Sequence, residues 1–83
     1  MLFRLLIDLE ALDLLNELPL RRRRAVFDHL RKIQNYPGHY SAYTVQEPDG
    51  TRLDVSILGN YHLFYWTDVA DRHIKILRIV ENE

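Results

Sequence analysis

The last three predicted strands of this sequence carry side chains that could bind and cleave RNA. They are Arg52, His62, Arg72, His73, Lys75 and Arg78. Cleavage through the 2′-hydroxyl needs a base for that hydroxyl, a cation for the crowded phosphate and an acid for the leaving oxygen. An imidazole can exchange a proton near neutral pH, and an arginine can hold a phosphate. The candidate catalytic residues are therefore His62, Arg52 and Arg78, and the candidate binding residues are Arg72, His73 and Lys75.

Aromatic residues are frequent in the same region, and Tyr61, Phe64, Tyr65 and Trp66 could stack against the bases of a bound RNA. Aromatic side chains on central strands are also commonly part of the core. Basic residues on strands are likewise often rim residues with no chemical role. Both interpretations stay open for each of these residues.

Other kinds of catalytic site are not indicated. The chain has no cysteine, which excludes thiol nucleophiles and Cys-based zinc sites. Its four histidines lack partners at the spacing of helical metal ligands, and its three glycines fall in predicted turns. We expect no metal and no cofactor.

Length and charge limit the class of protein. Eighty-three residues make one small domain, which we take to span 1–83. The formal net charge of −1 argues against a strongly electrostatic nucleic-acid binder. No apolar run approaches the roughly 18 residues that span a bilayer, and Arg4 interrupts the apolar start, which lacks the features of a signal peptide. These features predict a soluble, cytoplasmic protein with no membrane partner.

An unbroken basic run, Arg21–Arg24, opens the second predicted helix. Its charges oppose the helix dipole and therefore reduce helix stability. One interpretation is a solvated arginine face near Glu10, Asp13 and Glu17 of the preceding helix. The other is a site for an anionic partner.

Periodicity predicts an α+β domain in which two helices cover one face of an antiparallel sheet and leave the other open. The first strand is apolar on both faces, so we expect both to be covered, and we expect residues 81–83 to be frayed. The predicted strands are Leu2–Ile7, Tyr43–Gln46, Arg52–Ile57, Tyr61–Trp66 and Arg72–Val80, with one helix between Asp8 and Pro19 and another over Leu20–Tyr36.

The hairpin around Gly59-Asn60 is the centre of the predicted sheet. A two-residue turn places Ile57 opposite His62, whereas one extra loop residue places Ser56 there. Such a slip moves every side chain of a strand to the other face. The sequence leaves both registers open.

The order of these elements resembles that of the RelE/ParE toxin superfamily. The resemblance is carried by Leu18-Pro19 after the first helix, by the G-x-Y-x-x-x-Y run at 59–65 and by the closing strand 76–79. It implies a RelE-like β-α-α-β-β-β-β fold and a type II toxin neutralised by a cognate antitoxin that wraps it. RelE-like members cleave mRNA on the ribosome without a metal, and ParE-like members inhibit DNA gyrase.

Three positions depart from the RelE-like pattern. His62 stands where these toxins usually carry an arginine, Asp54 stands where a second basic residue often follows Arg52, and residues 81–83 are acidic where a basic tail is usual. His62 supports an mRNA interferase, an endoribonuclease acting through the 2′-hydroxyl. The missing basic residues favour a binding protein without nuclease activity, either a gyrase inhibitor or a degenerate toxin. A small dimerising domain is the third hypothesis.

Overall fold

The computed structural model describes residues 3–82, which form five strands and two helices. The predicted strand residue Leu2 lies outside the described residues. The elements are β1 (Arg4–Ile7), α1 (Leu9–Glu17), α2 (Leu20–Asn35), β2 (Tyr43–Gln46), β3 (Arg52–Leu58), β4 (Tyr61–Asp68) and β5 (His73–Glu81).

Local sequence explains where the helices begin and end. The Asp8 carboxylate accepts a hydrogen bond of 2.9 Å from the backbone N–H of Leu9, so Asp8 is the N-cap of α1, as predicted. Pro19 then separates the two helices and is the N-cap of α2. The buried stripe of α2 includes Val26, Leu30 and Ile33, at the three- and four-residue spacing of one helix face.

The strands form one sheet in the order β1-β5-β4-β3-β2. Strands β2 to β5 make the predicted antiparallel meander, and β1 is the predicted edge strand. It pairs with β5 in parallel, which makes the sheet mixed. No helix among residues 3–82 is long and apolar enough to cross a membrane.

The central hairpin adopts the two-residue turn, because Leu58 pairs with Tyr61 and Ile57 pairs with His62. Gly59 has a φ of +56°. Glycine adopts this conformation without the steric cost that a side chain would add. The turn therefore determines the register. The other register, which would place the apolar residues of both strands on one face, does not occur.

Both helices lie against one face of the sheet. The core on this side combines Leu15 of α1 and Leu30 of α2 with Leu63, Ile74 and Ile76 of the sheet, all fully buried. The other face is not covered by a helix. The expectation that β1 is covered on both faces is wrong, because Leu6 points to this open side and is 39% exposed.

The last strand extends beyond its predicted end. Glu81 belongs to β5, and the backbone N–H of Asn82 donates to the carbonyl of Asn60 at 2.7 Å. The predicted fraying is therefore wrong for Glu81, which pairs with Tyr61 of β4, while Asn82 bonds to the hairpin turn. Glu83 lies outside the described residues. Strand β4 also continues to Asp68, which shortens the following turn.

Candidate functional site on the open sheet face

We call the side of the sheet without helices the open face. Directly opposite residues of neighbouring strands point to the same side, so the pairing defines its members. They are Arg4 and Leu6 of β1, Tyr43 and Val45 of β2, Leu53, Val55 and Ile57 of β3, His62, Phe64, Trp66 and Asp68 of β4, and His73, Lys75, Arg78 and Val80 of β5.

His62 lies in the row formed with Ile57 and Val80. Its Nδ1 is 2.9 Å from the hydroxyl oxygen of Tyr43, whose side chain crosses from β2 over β3. This hydrogen bond fixes the imidazole orientation and leaves Nε2 as the ring nitrogen without a protein partner among residues 3–82. His62 is therefore held in one orientation, with one ring nitrogen available for proton transfer.

Arg78 occupies the adjacent row with Phe64, Val55 and Tyr43. A β-bulge near Phe64 makes this placement possible, because Ile76 pairs with Tyr65 while Arg78 pairs with Phe64. The guanidinium carbon lies 4.3 Å from the centre of the Phe64 ring. Cation–π attraction therefore holds the guanidinium against the sheet.

A carboxylate also holds Arg78 in place. Its Nη1 donates to Oε1 of Glu47 at 2.8 Å, and both side chains remain partly exposed. Glu47 follows β2, so this ion pair crosses the open face above β3 and β4. A phosphate that binds Arg78 must therefore compete with Glu47.

The structure brings two of the three predicted catalytic residues together. His62 pairs directly with Val80, two positions after Arg78. Such diagonal neighbours are about 7–8 Å apart, within reach of long side chains. Arg52 does not join them, because it shares its face of β3 with Ser56, which contacts helix α2.

Three of the five predicted binding residues, Arg72, His73 and Lys75, lie at the start of β5. His73 pairs with Arg4 and Asp68, and Lys75 pairs with Leu6 and Trp66. Arg72 precedes the strand, is exposed and has a φ of +56°. These residues lie beyond Arg78 from His62 and extend the positive charge along the sheet.

Tyr61 and Tyr65 lie on the covered side, where both rings belong to the core. Tyr65 is fully buried and donates a hydrogen bond to the carbonyl of Pro37, and burial raises its pKa well above the usual range. Buried rings cannot stack against a ligand. Tyr61 and Tyr65 are therefore core residues, which was the other interpretation of the sequence. On the open face, the exposed aromatic side chains are Tyr43 and Trp66, while the Phe64 ring is in contact with the guanidinium of Arg78.

The buried pair of His29 and Ser56 was not among the predicted site residues. Nε2 of His29 lies 2.7 Å from the hydroxyl oxygen of Ser56 and joins α2 to β3. Burial, together with the charge of Lys32, lowers the pKa of His29. Its spacing from Val26 and Ile33 puts it in the apolar stripe of α2, and this spacing was the available signal.

The basic run at the start of α2 divides into separate roles. Arg23 donates from Nη2 to the carbonyls of Asn16 and Leu18 at 3.0 and 3.1 Å. These carbonyls lie at the carboxyl end of α1, where the helix dipole makes a positive charge stabilising. Nη1 of Arg22 lies 3.8 Å from Oε2 of Glu81, which is within ion-pair distance. Within residues 3–82 no ion pair joins the run to Glu10, Asp13 or Glu17.

Among the described residues, one cluster has the side chains to ligate a metal ion. The ligand atoms of Asp68, Asp71 and His73 lie within 4.8 Å of one another. Sequence spacing did not indicate this cluster, because the turn between β4 and β5 brings its members together. The nearby guanidinium groups of Arg4 and Arg72 oppose a bound cation.

Comparison with known proteins identifies the fold through solved structures. No protein-family model matches the sequence, and no curated protein matches it significantly. The structure matches a chain of a RelBE toxin–antitoxin complex from Mycobacterium tuberculosis with a TM-score of 0.85 and 19% identity, covering 99% of this chain and 100% of that one. The chain has the fold of the RelE toxins.

Two further RelE structures agree with this assignment. A RelE–RelB complex from Pyrococcus horikoshii matches with a TM-score of 0.79 and 21% identity over 98% of this chain and 96% of the other. The isolated RelE toxin of E. coli matches with a TM-score of 0.75 and 18% identity over 98% and 85%. The RelE-like fold predicted from the sequence is confirmed. At these identities the feature that the chains share is the fold.

Proposed function

We propose that this chain is the toxin of a type II toxin–antitoxin pair and that its open face cleaves mRNA on the ribosome. The supporting observation is the match to RelBE complexes along nearly the whole chain. The proposed protein partner is the cognate antitoxin, and the proposed substrate is mRNA. No metal or cofactor takes part in the proposed reaction.

The proposed chemistry uses His62 as the base. In the tautomer whose Nδ1–H donates to Tyr43, the lone pair of Nε2 accepts the proton of the RNA 2′-hydroxyl. The 2′-oxygen then bonds to phosphorus, and the bond from phosphorus to the 5′-oxygen breaks. The leaving oxygen takes a proton from solvent, which gives a 2′,3′-cyclic phosphate and a 5′-hydroxyl.

Arg78 supplies the cation in this proposal. Negative charge builds on the non-bridging phosphate oxygens in the transition state, and a guanidinium can donate two hydrogen bonds to them. Arg78 must first exchange Glu47 for the phosphate, since the ion pair occupies one side of the guanidinium. Arg52 has no role in this step, because it faces the other side of the sheet.

Growth after induced expression tests the proposal. The wild-type chain should arrest growth, and His62→Ala should reduce the arrest because removing a general base typically costs 10²–10⁴-fold in rate. His39→Ala is the matched control, since His39 is exposed and lies away from the open face. No arrest by the wild type, or equal arrest by His62→Ala at equal protein level, contradicts the proposal.

A toxin-fold protein that binds a cellular target without cleaving RNA is the second candidate. The supporting observation is that Arg52 does not join His62 and Arg78, which leaves few cations beside the imidazole. Growth arrest with intact transcripts, unchanged by His62→Ala, would favour this candidate. DNA gyrase is one target to assay in that case.

A further inference from the structure

A cavity of about 620 Å³ lies where the start of β1 meets the turn before β5. We call it the edge cavity. It is lined by Phe3, Arg4, Gln34, Asp71, Arg72 and His73. The edge cavity spans the edge of the sheet, because Arg4 and His73 lie on the open face, whereas Gln34 belongs to α2 and Phe3 packs against the core. About 20 Å of strand β4 separates its open-face side from His62, at the usual rise per strand residue. The edge cavity is therefore distinct from the site formed by His62 and Arg78.

Backbone pairing brings two arginines to the edge cavity. The N–H of Arg4 donates to the carbonyl of Arg72 at 2.8 Å, so the two residues are neighbours. Both are exposed, and within residues 3–82 neither has a carboxylate within ion-pair distance. Two guanidinium groups without acidic partners are suited to bind a phosphate.

Positive and aromatic side chains continue from the edge cavity across the open face. Lys75 and Trp66 are direct neighbours in the next row, and Trp66 is 42% exposed. A basic side chain beside an exposed indole is the combination that binds single-stranded nucleic acid, by backbone contact and base stacking. Arg78 and its Phe64 platform follow in the next row toward His62.

We propose that Arg4 and Arg72 bind a phosphate of single-stranded RNA whose chain continues over Lys75 and Trp66 toward His62. The inference rests on the proposed function for its choice of RNA as the substrate. It adds a second anchoring point, remote from the cleaved bond.

Acidic side chains also lie at the edge cavity. Their substitution tests whether the edge cavity binds an anion or a cation. Asp71 lines the edge cavity, while Asp68 accepts a hydrogen bond of 3.2 Å from the N–H of Asp71. If the edge cavity binds phosphate, Asp71→Asn should tighten RNA binding because it removes an opposing charge. Weaker binding of RNA by Asp71→Asn contradicts the inference and indicates a bound cation.

Fluorescence anisotropy with a labelled single-stranded RNA tests the inference. Every 2′-hydroxyl of the probe is methylated, so the RNA cannot be cleaved. The test variant is Arg4→Gln/Arg72→Asn, with asparagine chosen because it tolerates the positive φ of Arg72. Each lost phosphate contact should lower the affinity about fivefold at about 0.1 M salt and reduce the salt slope by about 0.7.

The matched control is Arg21→Gln/Arg24→Asn, which removes two exposed arginines from helix α2. Its RNA affinity should stay within about twofold of the wild type. Arg4→Lys/Arg72→Lys should retain most of the binding. Equal losses in the test and control variants, an unchanged test variant, or no binding by the wild type each overturns the inference. Displacement of the probe by millimolar inorganic phosphate as readily as by unlabelled RNA also overturns it, because that identifies a site for free anions.

The two proposals can fail separately. Growth arrest that depends on His62, with RNA binding insensitive to Arg4→Gln/Arg72→Asn, removes the edge cavity and keeps the proposed function. If Arg4→Gln/Arg72→Asn selectively loses RNA binding but the wild type causes no growth arrest, the RNA site at the edge cavity is supported and the proposed toxin function is contradicted. Circular dichroism of each variant shows whether it is folded.

Discussion

Arg78 is attracted both to a carboxylate and to an aromatic ring, and these contacts determine how readily it can bind a phosphate. The ion pair with Glu47 spans 2.8 Å between partly exposed side chains, where solvent weakens the attraction. The Phe64 ring can keep the guanidinium on the sheet after Glu47 is displaced. Under the proposed function, a phosphate would therefore have to displace Glu47, while Phe64 would still hold the guanidinium of Arg78 in place.

Removing the charge of Glu47 should strengthen RNA binding. Glu47→Gln releases the guanidinium of Arg78 for one more phosphate contact, which corresponds to about a fivefold higher affinity at about 0.1 M salt. Anisotropy with the methylated RNA probe measures this change.

Asp49→Asn is the control for Glu47→Gln, because Asp49 lies in the same turn and is exposed. An asparagine oxygen can still accept the hydrogen bond that Asp49 receives from the N–H of Thr51. Equal gains in the two variants would show a general charge effect and would contradict the role given to Arg78.

We expect the stability of the fold to depend on pH through His29, which joins helix α2 to strand β3. Because burial lowers the pKa of His29, the unfolded chain binds a proton more readily than the folded chain. The stabilisation that the neutral imidazole provides is complete above its unfolded pKa of about 6.5. It is lost as the pH falls toward the folded pKa.

Urea unfolding of the wild type and His29→Gln at several pH values measures this linkage. Between about pH 7 and the folded pKa, the wild type should lose stability relative to the variant by up to about 1.4 kcal/mol per pH unit. His39→Gln is the control, because His39 is exposed, and it should keep the wild-type pH dependence. Parallel pH profiles for the wild type and His29→Gln would contradict this account.

Sequence patterns predicted the elements well because their ends are determined locally. Asp8, Pro19 and the Gly59-Asn60 turn act through their own backbone conformations, so no tertiary contact is needed to place them. The end of β5 depends instead on pairing with β4, which is not local. This dependence explains why the pairing of Glu81 with Tyr61 was missed.

The candidate site was only partly predictable from the sequence. Membership of His62 in the open face follows from the turn length, but the sequence left the turn length undecided. The bulge that aligns Arg78 with Phe64 and the chain reversal that brings Arg4 beside Arg72 arise from the assembled sheet. Neither has a local sequence signal.

At the scale of the whole molecule, the two sides of the sheet have different tasks. The side with the helices holds the core, including Tyr61 and Tyr65, and stabilises the fold. The open face carries His62 and Arg78 on the central strands and Arg4 at the edge. Under the proposed function, an extended RNA would lie along this open face.

Mapping transcript ends after induced expression shows whether the open face cleaves mRNA through His62. We expect new 5′-hydroxyl ends within translated mRNA for the wild type and for His39→Ala, and far fewer for His62→Ala at equal protein level. Growth arrest with intact transcripts, or the same cleavage with His62→Ala, would contradict this expectation.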